Sequence, residues 1–168
     1  MMDINFTAPR PEYIKELMYI ENSGFTPDEA ATEEAMLNRI TVIPDSFIVA
    51  KDEQAKIIGY VVGPVINHRY ITDNLFEHSL PNPLRGGFQS ILSIAVHPEY
   101  RGKGVASQLL CELERVCKRN KRDGITLTCL DYLVPFYETN GYRNEGKSDS
   151  EHAGEVWFNL VKEMKTGD

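Results

Sequence analysis

The residues with the clearest chemical meaning lie in one segment, residues 93–106, where a β-rich run leads into a glycine-containing turn and then a helical pattern. Gly102 and Gly104 remove side chains from the turn, so a ligand can approach the backbone closely. Unpaired N–H groups at a helix start favour an anion, and Arg101 and Lys103 add positive charge. The segment therefore predicts an anion site that suits a pyrophosphate.

Two common phosphate-binding motifs do not fit this turn. A Walker loop needs G-x-x-x-x-G-K-[ST] and a dinucleotide fold needs G-x-G-x-x-G, and the turn contains neither. ATP and NAD are therefore disfavoured as ligands. A tight turn that only starts a helix, without any ligand, is the alternative interpretation of the same residues.

The elements that position this turn follow from hydrophobic periodicity. Residues 91–96 predict a buried strand, and apolar residues at helical spacing follow the glycines as far as the basic residues 118–122. Residues 67–88 lack periodicity and are a candidate lid or substrate loop. The rest alternates strands and helices, which predicts a single mixed α/β domain over residues 1–168. Its second helix is predicted from the capping box Thr26-Pro27-Asp28-Glu29 to about Ile40.

Composition limits the classes of partner. The net charge of −7 disfavours a nucleic-acid backbone and favours a cationic small molecule. No apolar run approaches the roughly 20 residues that span a bilayer, and the N-terminus lacks a signal-peptide pattern, so no membrane and a cytoplasmic location are expected. The three cysteines have no C-x-x-C spacing, which argues against a disulfide framework and a zinc site. No metal is expected.

Three motifs together resemble one known family. Arg101-Gly102-Lys103-Gly104-Val105-Ala106 resembles the [QR]-x-x-G-x-[GA] signature of the GNAT superfamily of acyl-CoA-dependent N-acyltransferases. Val96-His97-Pro98 and Phe136-Tyr137-Glu138-Thr139-Asn140-Gly141-Tyr142 resemble its flanking patterns. Leu133-Val134-Pro135-Phe136-Tyr137 and Ile94-Ala95-Val96-His97 are further similar to the arylalkylamine (serotonin) N-acetyltransferase-like branch.

The resemblance implies a fold and a reaction. The fold is an α/β (α+β) GNAT-like domain, with a mixed, mostly antiparallel central sheet of six to seven strands flanked by about four helices. The reaction is transfer of an acetyl group from acetyl-CoA to a primary amine by direct attack in a ternary complex, without a covalent enzyme intermediate. Acetyl-CoA is then the acyl donor, and the protein is a monomer or homodimer.

The resemblance also assigns site residues. Tyr137 matches the general acid that protonates the departing thiolate. Coenzyme A would be held by backbone groups of the strand end and the turn, which implies that the strand splays from its neighbour; these residues are Ile94, Ala95, Val96, Arg101, Gly102, Lys103, Gly104, Val105 and Ala106. The amine pocket of the branch falls at Phe25, Pro27 and Phe158, with Trp157 as an alternative to Phe158. Helix and core packing are the other interpretation of these aromatic residues.

The general base of that branch is absent. Two histidines fill this role in the branch, and here Ser90 and Leu92 occupy the matching positions. The base is then a water chain, is unnecessary for a neutral substrate, or is another residue; the candidates are His78, Glu21, Glu34 and Asp131. Acetylation of a protein lysine, an N-terminus, a polyamine or an antibiotic amine remains an alternative, as does an acyl-CoA-binding module without turnover.

Overall fold

The strands of the protein form two sheets, and one bent segment, residues 88–96, contributes a strand to each. The computed structural model describes residues 3–164, within which there are nine strands and four α-helices. The strands are β1 (Asn5–Thr7), β2 (Phe47–Lys51), β3 (Ile57–Val62), β4 (Val65–Ile66), β5 (Phe88–Ile91), β6 (Ser93–Val96), β7 (Gly124–Cys129), β8 (Arg143–Lys147) and β9 (Phe158–Glu163). The helices are α1 (Ile14–Gly24), α2 (Glu33–Val42), α3 (Val105–Arg119) and α4 (Val134–Thr139). The predicted mixed, mostly antiparallel fold class is confirmed.

The single predicted sheet divides at Leu92. One sheet has the order β1-β2-β3-β6 and the other has the order β4-β5-β7-β9-β8. Ser93 pairs with Val62, yet the Leu92 N–H also donates to the Val62 carbonyl at 2.8 Å, so two residues oppose one. This bulge ends the parallel pairing of β5 with β7 and starts the antiparallel pairing of β6 with β3. The predicted strand over residues 91–96 is therefore two strands in different sheets.

Helices cover both faces of the β3–β6 sheet. The main core lies between α3 and the strands β2, β3 and β7. The buried face of α3, including Leu109 and Leu113, packs into it. On the opposite face, Leu17 and Ile20 of α1 pack with α2 side chains against Tyr60 of β3. None of the helices within residues 3–164 has the length and apolar character that a bilayer crossing requires.

The predicted start of the second helix at Thr26 is wrong. Thr26 and Glu29 do form the predicted contact, since the Thr26 N–H donates to the Glu29 carboxylate at 3.0 Å, but it closes a single turn. The Ala31 N–H donates to the Glu21 carboxylate at 2.7 Å, so it is not available to continue a helix. α2 begins at Glu33, where the Thr32 hydroxyl accepts the Ala35 N–H at 3.0 Å as a new cap.

The long loop before β5 is held at two places, by β8 and by α2. The Arg69 guanidinium forms a bidentate ion pair with the Glu145 carboxylate of β8, at 2.8 and 2.7 Å. The Tyr70 hydroxyl donates to the same carboxylate at 2.7 Å. Farther along, the buried Arg39 guanidinium donates to the Phe76 carbonyl at 3.0 Å. Phe76 packs against the cluster that contains Leu92, the residue between β5 and β6.

Gly63, between β3 and β4, offers a test of the close packing beside the bulge. A Cβ atom at this position would lie 2.1 Å from the Ser90 carbonyl oxygen, which is backbone and cannot move aside freely. We expect Gly63→Ala to lower the free energy of unfolding by about 2 kcal/mol or more, the cost typical of overpacking. Gly24→Ala is the control, because its Cβ would meet nothing closer than 3.7 Å. Equal urea unfolding midpoints for the two variants would contradict this packing.

The Arg69–Glu145 contact predicts a pH dependence of stability. The hydrogen bonds from Arg69 hold the pKa of Glu145 at about 2, below its ordinary value of 4.5. The carboxylate therefore stabilises the fold above pH 4.5, and this contribution is lost as the pH falls toward 2. Glu145→Gln should have a lower melting temperature at neutral pH and a smaller decline across that acid range. Thermal melts followed by circular dichroism measure both, with Glu12→Gln, at an exposed ion pair, as the control.

Candidate active site

The site lies in a cleft that opens where β6 leaves β7. β5 and β7 are paired as far as Ile91 and Leu127, and beyond that point β6 pairs only with β3. The His97 N–H donates to the Ile58 carbonyl at 2.8 Å, so alternate residues of β6 direct their amides toward β3. By this alternation the N–H groups of Ile94 and Val96 point toward the cleft. The splay required by the coenzyme-binding prediction is therefore present.

An outer cavity of about 470 Å³ fills the cleft between β6 and α4. Six of the nine predicted coenzyme residues line it: Ile94, Ala95, Val96, Arg101, Gly102 and Ala106. The other three residues are not part of its lining. The Lys103 ammonium lies 5.6 Å from the centre of the Tyr100 ring. Gly104 is the N-cap of α3, and Val105 is buried in the main core. The facing wall is apolar and includes Leu133 and Phe136.

The glycine turn leaves the start of α3 open to a ligand. Gly102 and Gly104 have φ values of 76° and 82°, in the left-handed region where glycine is favoured. A Cβ at either position would meet no atom within 4 Å, so both glycines border open space. Gly104 provides no side-chain cap for the helix, and the first N–H groups of α3 are therefore available to an anion.

The Arg101 side chain is predicted to add positive charge to the glycine turn, but its guanidinium contacts other backbone groups instead. Its guanidinium donates to the Val96 carbonyl at 3.2 Å and to the Ser23 carbonyl at 3.0 Å. Two of its nitrogens are thus occupied by backbone at the end of α1 and the end of β6. In this structure the side chain joins α1 to the cleft, and the turn is left to its backbone amides and Lys103.

Tyr137 lies on α4 and lines both the outer cavity and a smaller inner pocket. The residue is only 5% exposed, and its ring packs edge-on against Phe136 and Tyr142. Burial raises the pKa of its phenol, and the neighbouring Cys129 acts in the same direction. The phenol is therefore protonated at neutral pH and can donate a hydrogen bond or a proton.

The inner pocket, of about 80 Å³, combines aromatic walls with acidic groups. Phe25, Phe76 and Trp157 supply aromatic surface, and Glu21 and Glu29 supply carboxylates. Such a pocket favours a cation attached to an apolar group.

The three predicted substrate residues separate in the structure. Phe25 lines both cavities, whereas Pro27 is exposed and lies outside both linings. Phe158 packs against the main core, and its neighbour Trp157 lines both cavities instead. Because side chains alternate along a strand, the sequence predicts that Phe158 and Trp157 face opposite sides. It does not predict which of the two sides holds the cavity.

Neither residue at the histidine positions can act as a base. The Ser90 hydroxyl is fully buried and donates to the Pro64 carbonyl at 2.6 Å, and Leu92 is apolar. Of the four candidate bases, His78, Glu34 and Asp131 are exposed and line neither cavity, whereas Glu21 is buried in the wall of the inner pocket.

The cysteines do not offer a nucleophile in the cleft. Cys129 lines the inner pocket, but burial raises the pKa of its thiol to about 12. Cys117 is buried in the main core, and Cys111 is exposed on α3. Among residues 3–164, no group of three or more His, Cys, Asp or Glu side chains is placed to hold a metal ion.

Comparison with known proteins identifies the family. Residues 44–144, more than half of the chain, match the acetyltransferase (GNAT) domain family. The chain therefore belongs to the GNAT acetyltransferase family, which confirms that part of the resemblance seen in its motifs; the similarity to the arylalkylamine branch stays a prediction. No curated protein matches the sequence.

Solved structures share the fold at low sequence identity. The loading GNATL domain of CurA from Lyngbya majuscula is 16% identical with a TM-score of 0.78, covering 96% of this chain and 98% of that chain. NAA60 from Arabidopsis thaliana, in complex with a bisubstrate analogue, is 16% identical with a TM-score of 0.73, covering 98% and 100%. The GphF GNAT-like decarboxylase, in complex with isobutyryl-CoA, is 16% identical with a TM-score of 0.78, covering 96% and 100%. Since one of these is called a decarboxylase, the fold alone does not determine the reaction.

Proposed function

We propose that this protein transfers an acetyl group from acetyl-CoA to a primary amine, by direct attack of the amine on the thioester within a ternary complex. One observation carries the proposal. The cleft between β6 and β7 places outward-pointing backbone amides on one wall and a protonated phenol, Tyr137, on the other. A thioester between these walls meets a hydrogen-bond donor for its carbonyl oxygen and an acid for its sulfur.

The coenzyme occupies the outer cavity in this proposal. Its pyrophosphate binds the free amides at the glycine turn, where Gly102 and Gly104 leave room for close approach. The pantetheine arm then runs along β6, with backbone contacts from Ile94 to Val96, toward the inner pocket. The N–H of Ile94 or Val96 polarises the thioester carbonyl as negative charge develops on its oxygen.

Tyr137 acts as the general acid. As the C–S bond breaks, the phenol gives its proton to the coenzyme A sulfur, which leaves as a thiol. The high pKa that burial imposes keeps the proton in place until the thiolate forms beside it. No cysteine takes part, because the cleft thiol, Cys129, stays protonated at neutral pH.

The amine enters the inner pocket. The inner pocket, at about 80 Å³, is much smaller than the outer cavity of about 470 Å³, so we expect it to take the amine end of the substrate. The aromatic surface of Phe25, Phe76 and Trp157 favours an alkyl or arylalkyl body behind the nitrogen. This supports a small amine of the kind used by the arylalkylamine branch.

Peptide amines are the second candidate substrate class. A structure with the same fold is the NatC complex bound to Gag peptide and CoA, at 18% identity and a TM-score of 0.75. A panel containing alkylamines, arylalkylamines, polyamines, lysine peptides and N-terminal peptides separates the classes. Release of free thiol from acetyl-CoA is the measurement. Coenzyme binding with no thiol release from any amine would contradict the proposal and favour a binding module without turnover.

Tyr137→Phe tests the assignment of the acid. The substitution keeps the ring and removes the proton, so kcat should fall by roughly 100-fold, while the Kd of coenzyme A, measured by calorimetry, stays the same. Tyr142→Phe is the matched control, because Tyr142 is equally buried and contacts Tyr137, but it lines neither cavity and its hydroxyl has no hydrogen-bond partner within residues 3–164. If both variants keep the wild-type rate across pH, Tyr137 is not the acid.

A further inference from the structure

A buried carboxylate in the wall of the inner pocket has no role in the mechanism so far. Glu21 lies in the last turns of α1, on the same face as Leu17 and Ile20, and is only 1% exposed. A glutamate in such an apolar helix face is rare unless its charge is compensated. Its position therefore needs a physical explanation.

The hydrogen bonds of Glu21 come from three different elements. The Tyr60 hydroxyl of β3 donates to Oε1, and the Ala31 N–H donates to Oε2 at 2.7 Å. The Ser93 hydroxyl of β6 also donates to Oε2, at 3.3 Å. A carboxylate has about four acceptor sites, so these three donors, the ones found among residues 3–164, leave one site on Oε1 without a donor.

No cation pairs directly with this carboxylate among residues 3–164, where Glu21 takes part in none of the ion pairs. The nearby buried Arg39 donates instead to the Ser93 hydroxyl at 3.4 Å and to the Phe76 carbonyl at 3.0 Å. The network thus holds Glu21 in one orientation through Ser93. The positive charge of the buried Arg39 acts on the carboxylate through space, but no cation among residues 3–164 contacts it directly. An ammonium group in the inner pocket would supply one.

The same network places Glu21 next to the reaction centre. Ser93, its hydrogen-bond partner, directly precedes Ile94, whose amide points into the cleft. Glu21, Ile94 and Tyr137 all line the inner pocket. The other carboxylate there, Glu29, accepts the Thr26 N–H and interacts with Glu155, and this interaction lowers the pKa of Glu29 and raises that of Glu155. Glu29 is thus engaged with a second carboxyl group at the edge of the pocket.

We propose that Glu21 binds the ammonium of the substrate in the inner pocket and takes its proton, which makes the nitrogen a nucleophile. This proposal rests on the proposed acetyltransferase function. One N–H proton moves to Oε1 of Glu21, and the freed electron pair forms the C–N bond with the thioester carbon. The C–S bond breaks and the sulfur takes the Tyr137 proton. The nitrogen then loses a second proton, which restores the phenol, and Glu21 releases its own proton to solvent.

Glu21→Gln tests the proposal, with Glu16→Gln on the exposed side of α1 as the matched control. The substrates are ethylamine, which is protonated at neutral pH, and 2,2,2-trifluoroethylamine, whose nitrogen is largely neutral there. With ethylamine, kcat/KM for Glu21→Gln should fall by about 100-fold or more, the range of general base catalysis. With trifluoroethylamine the loss should be only a few-fold, because the nitrogen needs no base. The Kd of coenzyme A should not change.

Glu21→Asp keeps the test decisive if the glutamine variant does not fold. It retains the carboxylate but withdraws it by one methylene, so we expect a rate with ethylamine between those of wild type and Glu21→Gln, and a near wild-type rate with trifluoroethylamine. Equal losses for both amines would show a structural role and overturn the proposal, as would a Glu21→Gln rate equal to that of the Glu16→Gln control. Failure of the proposed function is a different result, in which wild type binds coenzyme A but releases no thiol with any amine.

Discussion

The extra residue at Leu92 is the constraint on which the site depends. Because Val62 accepts the Leu92 N–H while pairing with Ser93, the bent strand leaves one sheet and joins the other. Without this offset, β6 would remain hydrogen-bonded to β7 and its amides would be consumed by the sheet. The bulge converts backbone donors that normally build structure into donors that can hold a ligand.

The two halves of the site are positioned from opposite sides of that strand. α3 and its glycine turn pack on one face, where the main core fixes the first turn of the helix. On the other face, α1 brings Glu21 and Phe25 to the inner pocket, and Arg101 fastens the end of α1 to the end of β6. The outer cavity and the inner pocket, where we propose that the coenzyme and the amine bind, therefore share β6 as a common support.

The sequence predicted what local chemistry determines. Two glycines before an amphipathic pattern identify the turn and α3, and Tyr137 follows from the second motif. Contacts between residues far apart in the sequence determine the rest. The Ala31 N–H donates to Glu21, so α2 begins only at Glu33. Phe158 packs against the main core, so its neighbour Trp157 lines the cavity instead. Glu21 could be named only as one of several candidates for the general base. A glutamate on a helix is usually a solvated surface charge, and the sequence does not show which residues surround it.

The amides of β6 have a consequence for how far sequences with this fold can diverge. A main-chain donor is present whatever the side chain, and only proline would delete it. Substitutions at Ile94 or Val96 can therefore alter the shape of the cleft while the N–H donors that face it remain. A scaffold that recognises its ligand by backbone tolerates extensive drift, in keeping with shared architecture at 16% identity, and new substrates can be accommodated by changing the walls alone.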